Sequence, residues 1–215
     1  MASTPPTKTP TAAASTPRAA QTPSALVDSA LSAVLAQQSV HLACTISSSA
    51  GDQTESEDIG TSSGRIVNTT GSVSTSNILV GGVDYFSTNT AGVLTVSGIS
   101  EAEAEKLAGE WISMRPGDSY GSYLSYAEGI HGMTLASQAD ALRLTGPLKR
   151  AGSMAVQGVA VYGVSGGASG TPLPVSVSAN SGNGIVTTCN FSNWGEPMDL
   201  TAPPHPVPLT SIPSA

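Results

Sequence analysis

The last third of the sequence contains the residue types of a serine hydrolase. The run GVSGG at 163–167 fits the G-x-S-x-G pattern, in which a nucleophilic serine, here Ser165, sits at a strand-to-helix turn. Asp199 and His205 follow in the chain order of an α/β-hydrolase triad. However, the run ASGTPLPV after the serine contains two prolines and cannot form the required helix. The sequence therefore predicts a Gly/Ser-rich loop at this place, and no enzyme.

Residue types that ligate metals are scattered along the chain. His41, His131 and His205 lie far apart and lack the paired spacing of a zinc site. The acidic run DQTESED at 52–58 is interpreted as a solvated hairpin tip, with a weak calcium site as the alternative. We predict no metal and no other cofactor.

Cys44 and Cys189 are the two cysteines of the chain, and each lies in a β-prone run. Their wide separation in the sequence excludes a CxxC redox or zinc motif. In an oxidising compartment they can join the first and the last core strand by a disulfide. Two buried thiols are the alternative, because free cysteine is often buried.

The elements that would position these residues are those of an α+β domain. An amphipathic helix begins with Pro23 after the N-cap candidate Thr22. Residues 40–98 consist of short β-prone runs typical of an antiparallel meander, and VLTVSG is the last of them. The apolar stripe that this first helix must bury consists of Leu26, Val27, Ala30, Leu31, Val34 and Leu35.

The middle of the chain contains a second helix and an irregular segment. Ser100 and Glu103 predict a capping box at the start of this helix, which ends at Gly109. Residues 115–145 are interpreted as a lid that contains a short helix from Thr134 to Leu142.

The run FSNWGEPMDLTAPP at 191–204 closes the predicted domain. FSNWG ends a closing strand, MDL adds a short last strand, and Pro203 and Pro204 then stop the ladder. Trp194 is interpreted as a packing anchor at the sheet edge, with a ligand contact as the alternative.

Composition divides the chain into three parts and excludes several functions. Residues 1–22 form a Thr/Pro/Ala-rich tether, residues 23–204 form one domain, and residues 205–215 form a Pro-rich tail. With 11% charged residues, a net charge of −7 and no basic cluster, the chain is not a nucleic-acid binder. The same composition favours an extracytoplasmic protein over a cytosolic helical one. Neither a signal peptide nor a spanning segment is present in the sequence, so either the protein is cytosolic or an export segment is not part of this sequence, and the composition favours the second.

Four stretches resemble the LolA/LolB-like lipoproteins of the actinobacterial envelope, of the LppX and LprG type. The likeness covers about residues 24–210 and follows the order helix, meander, capped helix, lid and closing strands. The stretches are VDYFSTNTAGV (83–93), AEKLAGEWISM (104–114), VQGVAVYGVSG (156–166) and LPVSVSANSGNGIVTTCNFSNWGEPMDLTAPP (173–204).

This resemblance implies a curved antiparallel sheet that forms a half-open, LolA-like β-barrel over a few helices, with an apolar cavity between them. Members of the family bind lipids or lipoglycans and help to move them across the envelope, and a lipidated cysteine usually anchors them. The chain has no such N-terminal cysteine. The tether of residues 1–22, rather than this cysteine, is therefore the basis for expecting an anchor at the outer face of the cell membrane instead of a spanning helix. We expect the domain to be a monomer. A lipid or lipoglycan ligand and an envelope transporter are the implied partners.

Periodicity, rather than the resemblance, supplies the candidate cavity residues. Burial of acyl chains in such a cavity gives about 0.8 kcal/mol per CH₂, so desolvation alone would hold a lipid. The alternative is a structural or sensing module whose core is filled by side chains and which acts through a protein partner. The candidate lining residues are Leu42, Ile46, Tyr85, Trp111, Tyr123, Leu124, Met133, Leu135, Leu142 and Val161.

Overall fold

The fold is described from a computed structural model. The described residues are 21–121, 124–144, 147–150, 155–157, 160–164, 170–180 and 184–213, with the backbone alone for 155–157 and 160–164. The predictions for residues 1–20 of the tether, for Tyr123 and for Ser165 lie outside them.

The described residues form five α-helices and fourteen strands. The helices are α1 Pro23–Leu35, α2 Ala91–Val96, α3 Glu101–Leu107, α4 Tyr126–Gly129 and α5 Leu135–Ala141. The first strands are β1 Ser39–Ser48, β2 Gly51–Gly60, β3 Gly64–Thr70, β4 Val73–Val80, β5 Val83–Thr88, β6 Ile112–Met114, β7 Ser119–Tyr120 and β8 Leu124–Ser125. The later strands are β9 Lys149–Arg150, β10 Ala155–Gln157, β11 Ala160–Val164, β12 Pro174–Asn180, β13 Val186–Ser192 and β14 Val207–Pro208, and a 3₁₀ turn spans Leu209–Ser211.

Twelve of the strands form one sheet in the order β14-β6-β5-β4-β3-β2-β1-β13-β12-β11-β10-β9, and β7 pairs with β8. Its pairs are antiparallel apart from β14 and β6, which run parallel. Strands β14 and β9 are the two edges of the order, so the sheet is open. The molecule is thus α+β with a large, mainly antiparallel sheet, while the half-open barrel stays a prediction.

Helix α1 covers one end of the sheet on what we call the inner face, the face that carries Leu42 and Phe191. The Thr22 hydroxyl accepts the Ala25 amide at 3.2 Å and so caps the helix. Leu35 was expected in the apolar stripe, but it is 56% exposed, whereas its neighbour Val34 is fully buried. The buried members of this first core are Leu26, Val27, Ala30, Leu31 and Val34 of α1, Val40, Leu42, Cys44, Ile59, Cys189 and Phe191 of the sheet, and Leu135, Ala139 and Leu142 around α5.

A second core lies at the other end of the sheet. It joins Leu94 of α2 and Leu107 of α3 to Ile112 and Met114 of β6. The run VLTVSG was predicted as a strand, and this prediction is wrong for 93–96, which belong to α2. The helix forms because Thr90 caps it and Leu94 becomes buried, and tertiary packing outweighs β propensity.

Two local predictions in this region and beyond it also need correction. The side chain of Ser100 makes no cap hydrogen bond, so the predicted capping box with Glu103 is absent from α3. Residues 52–58 are not a hairpin tip, because they lie inside β2. Asp52 pairs with β1, and each of residues 53–58 pairs with both β1 and β3. Two neighbouring strands satisfy the backbone of this acidic run, and this outweighs the low β propensity of Asp and Glu.

The C-terminal segment crosses the sheet instead of forming a tail. Residues 198–200 are not a strand, and the last strand is β14, beyond the two prolines that were expected to end the ladder. In sheet order, β13 and β14 are separated by six strands, so residues 193–206 span that distance. Leu209 and Ile212 are buried in the second core, so the domain extends past residue 204.

Candidate functional site

The middle of the inner face is polar. Strand alternation and register place Leu42, Glu57 and Ile66 in one row across β1, β2 and β3, and Cys44, Glu55 and Asn68 in the next. Asn77 of β4 is in register with Ile66, and Asp84 of β5 bonds to Asn77. We call Glu55, Glu57, Asn68, Asn77 and Asp84 the polar stripe. It lies between the first core and the second.

The segment that covers this stripe is held close by two glycines. A Cβ on Gly64 of β3 would lie 2.6 Å from the carbonyl oxygen of Met133, just before α5. A Cβ on Gly129 of α4 would collide with the Asp84 carboxyl. Both approaches need a residue without a side chain. We call residues 126–132, which comprise α4 and the turn after it, the flap.

Glu57 is a buried carboxyl with few hydrogen-bond donors around it. Its Oε2 accepts a hydrogen bond from the Gln138 side chain of α5 at 2.9 Å, and the Cys44 sulfur lies 3.7 Å from its Oε1. Burial, followed by the hydrogen bond and the charge of Glu55, raises the pKa of Glu57 to about 9. Glu57 is therefore a neutral acid at pH 7.

Asp84 is the second buried carboxyl, with no exposed surface. The Asn77 amide donates to both of its oxygens, at 3.3 and 3.2 Å. Burial raises the pKa of Asp84 to about 7, against the opposing effects of Asn77 and of the Tyr85 backbone amide. The group therefore changes charge near neutral pH.

Two clefts flank the flap and share Asn77, Glu128 and Gly129. The larger cleft has a volume of about 360 Å³ and the smaller about 100 Å³. Polar side chains outnumber apolar ones along the larger cleft, where Ile66 and Ala141 accompany Glu55, Glu57, Asn68, His131 and Gln138. The smaller one is lined in addition by Phe86, Met114, Leu124 and Ser125. The arrangement can hold a molecule with a polar and an apolar end.

The lining candidates that the structure describes are divided between the two cores and the clefts beside the flap. Leu42, Leu135 and Leu142 are packed in the first core, and Leu124 lies in the second core and lines the smaller cleft. Val161 lies in β11, of which the backbone alone is described, and Tyr123 lies outside the described residues. The remaining candidates are the buried Met133 and Tyr85 and the half-buried Ile46 and Trp111.

Cys44 and Cys189 form a disulfide between directly paired positions of β1 and β13. Ligand atoms of Cys44, Glu55 and Glu57 lie within 4.8 Å of one another. Since the Cys44 sulfur is bonded to Cys189, this group offers two carboxyls and no thiolate to a cation.

The other catalytic candidates that the structure describes are mostly exposed side chains. Asp199 and His205 are exposed in the C-terminal segment, and His131 is exposed on the flap. On the outer face, the His41 ring Nδ1 lies 2.8 Å from Asp58 Oδ1. Among the described residues, no serine or threonine hydroxyl is hydrogen-bonded to the His41 ring, so this pair lacks a nucleophile.

Trp194 packs against the first core. Its ring stacks on Phe191, with centroids 5.7 Å apart, and its Nε1–H donates to the Pro174 carbonyl oxygen at 3.1 Å. Trp194 lines neither cleft beside the flap, and these contacts are those of a packing anchor.

The sequence interpretation missed the polar stripe. Glu55 and Glu57 were assigned to a loop, and the amides of β3 and β4 were not singled out. No local signal indicated a strand here, because residues 53–58 are all polar and show no alternation of apolar and polar side chains.

Comparisons with known proteins assign no family to this chain. No protein-family model matches it, and no curated protein matches it. Among solved structures it is similar to LprF from Mycobacterium bovis, at 14% identity and a TM-score of 0.42, over 83% of this chain and 95% of that chain. Similarity at this level does not carry a functional argument. Within the described residues, no helix has the length and hydrophobicity needed to cross a bilayer.

Proposed function

We propose that this chain is a non-enzymatic binding protein of the cell envelope. Its ligand is an amphiphile, a lipid or a lipoglycan, held between the inner face of the sheet and the segment that covers it. The observation that carries the proposal is the pair of clefts joined at Asn77, Glu128 and Gly129. Most of the side chains that line the larger one are polar, and the smaller one is bordered by Phe86, Met114 and Leu124.

The polar cleft suits a neutral head group that carries hydroxyls. Its polar side chains are carboxyls, amides and one imidazole, its apolar ones are Ile66 and Ala141, and no Lys or Arg lines it. Carboxyl and amide groups accept and donate hydrogen bonds to hydroxyls, whereas an anionic phosphate would meet Glu55 and Glu128 without a compensating cation. The head group would therefore be that of a glycolipid rather than a phospholipid.

The apolar part of the ligand would enter the smaller cleft. At about 100 Å³ this cleft cannot hold a whole acyl chain, so binding requires the flap to move away from the sheet. Phe86, Met114 and Leu124 then become the wall of a longer apolar groove, and desolvation contributes about 0.8 kcal/mol per CH₂.

The disulfide supports an extracytoplasmic location. Disulfides persist in oxidising compartments, and Cys44–Cys189 joins two central strands. In this proposal, the Thr/Pro/Ala-rich residues 1–22 tether a half-open barrel to an anchor at the outer face of the membrane. An envelope transporter would deliver or receive the ligand, and the domain acts as a monomer.

Native mass spectrometry of protein exported in an actinobacterial host tests the proposal. We expect a stoichiometric lipid adduct that organic extraction releases as a glycolipid. Glu128→Lys places a cation at the junction of the two clefts and should reduce retention of the neutral lipid at least several-fold. The matched control is Glu105→Lys, an equally exposed glutamate on α3, which should retain it.

A mass without adduct, and no uptake of added glycolipid, would refute the carrier and favour a structural or sensing module with a filled core. One observation favours this second function. Leu42, Leu135 and Leu142, which were expected to line a cavity, are at most 4% exposed and pack against α1.

A further inference from the structure

The flap is attached to the sheet through the two buried carboxyls. Gly129 of α4 lies directly over the Asp84 carboxyl. The side-chain amide of Gln138, in α5, donates to the Gly132 carbonyl oxygen of the flap at 3.0 Å and to Glu57 Oε2 at 2.9 Å. Gln138 thus links the flap to β2. Residues of the flap line both clefts, so displacement of the flap would join and enlarge them.

The residues that follow the flap in the chain are fixed by buried contacts. Leu135, Ala139 and Leu142 fix α5 in the first core, and Met133 is fully buried against Gly64. The first residues to leave the sheet would therefore be 126–132, between β8 and the fixed helix α5. This segment is short and contains two glycines, Gly129 and Gly132.

We propose that protonation of Asp84 and Glu57 holds the flap closed, and that loss of these protons opens it and exposes the binding cleft. The inference concerns the regulation of the site proposed above and rests on that assignment. The cleft would be closed to ligand exchange in acid and open to ligand exchange at higher pH.

The charged groups around the two carboxyls favour opening once they ionise. Glu55 lies beside Glu57 on the same face of β2, and Glu128 of the flap lines both clefts. The other groups that face Glu57 are the oxidised Cys44, the neutral Asn68 and Gln138, and His131, the one flap residue that can carry a positive charge. Asp84 faces the neutral Asn77 and Met114 besides Gly129.

The pH window follows from proton linkage. In the closed state the pKa of Glu57 is about 9 and that of Asp84 about 7, against 4.5 and 3.8 for solvated carboxyls. Between these limits the closed state binds more protons than the open one. Each carboxyl then shifts the equilibrium towards the open state by about tenfold per pH unit, up to about pH 7 for Asp84 and about pH 9 for Glu57.

Hydrogen exchange of the ligand-free protein tests this inference independently of any lipid. The reporters are the amides of Ile130, His131 and Met133, which donate within and next to the flap. Protection factors, corrected for the intrinsic pH dependence of exchange, are measured by mass spectrometry from pH 5 to 9. We expect them to fall by at least tenfold per pH unit between pH 5 and 7, while amides of α1 stay protected.

Asp84→Asn and Glu57→Gln keep the shape of the neutral carboxyls. Each variant should make the loss of protection with rising pH less steep. The effect of Asp84→Asn should appear below pH 7, and that of Glu57→Gln should extend up to pH 9. Asp52→Asn, on the exposed outer face of β2, is the matched control and should leave it unchanged. Should Asp84→Asn fail to fold, Glu57→Gln decides the question by itself. Unchanged slopes in the folded variants, or equal loss of protection in α1, would overturn the inference. Neither result depends on whether a lipid binds.

Discussion

The two regions of the inner face differ in what their side chains bury. Under α1 and α5, the sheet presents Leu42, Ile59 and Phe191, which pack in a core that a disulfide between β1 and β13 cross-links. A few ångströms away on the same strands, it presents Glu57 and, further across, Asp84, which are buried without an opposite charge. The comparison shows that one continuous sheet buries apolar side chains in one region and carboxyls without an opposite charge in another. The apolar region stabilises the fold, and in the inference above ionisation of the buried carboxyls favours opening of the flap over the polar stripe.

Removal of the disulfide should have the largest effect on the apolar region. Cys44→Ala combined with Cys189→Ala releases a constraint across 145 residues of sequence, and we expect the free energy of unfolding to fall by about 4 kcal/mol. Urea denaturation measures it. The wild type unfolded under reducing conditions is the control and should lose a similar amount. An unchanged midpoint in both would show that the apolar core alone fixes β1 against β13.

Truncation of the helix that covers the same region should have the next largest effect. Leu26 of α1 is fully buried, and Leu26→Ala should cost about 3 kcal/mol of unfolding free energy through lost burial and a cavity. Leu35→Ala makes the same chemical change on the same helix at a side chain that is 56% exposed, so we expect a change below about 0.5 kcal/mol. Thermal and urea unfolding of both variants measure the difference. Equal losses would mean that α1 is not seated on the sheet as described.

The apolar region could be predicted from the sequence far better than the polar stripe. Helical spacing from Leu26 to Val34 and alternation around Cys44 are local signals, and they lead directly to α1 and β1. The acidic run of β2 has no such signal in its propensities, because neighbouring strands create its environment. Val93 and Leu94 show the reverse error, since β-prone residues became helical where a buried position was available.

The crossing of residues 193–206 could not be predicted for a related reason. Pro203 and Pro204 were expected to end the ladder, and no local signal places β14 beyond them and beside β6 at the far edge of the sheet. The position of Val207 depends on long-range packing of Leu209 and Ile212 in the second core. The cleft residues Asn77 and Glu128 are likewise brought together by topology alone.

The polar stripe should make the fold less stable as pH rises. Because the pKa of Glu57 is raised to about 9 in the folded state, the folded state binds more protons than the unfolded state between about pH 4.5 and 9, and stability is lost across that window. Glu57→Gln should therefore be more stable than the wild type at pH 8, by on the order of 2 kcal/mol. Urea denaturation at pH 5 and pH 8 measures this. Asp52→Asn should follow the wild type at both pH values, and a Glu57→Gln protein that is less stable at pH 8 would contradict the expected sign.

The smallest expected effect concerns one polar bond at the border of the apolar region. Trp194→Phe keeps the stacking on Phe191 but removes the hydrogen bond from Nε1 to the Pro174 carbonyl oxygen. Loss of such a bond costs about 1 kcal/mol, because the carbonyl oxygen of the buried Pro174 loses this donor. Trp111→Phe is the matched control, since the Trp111 side chain is half-buried and its backbone carbonyl, which accepts the Val207 amide, is untouched. Urea denaturation should separate the two variants. If both lose the same amount, the hydrogen bond of Trp194 does not fasten the end of β13 to β12, and the stacked rings alone close the apolar region at that edge.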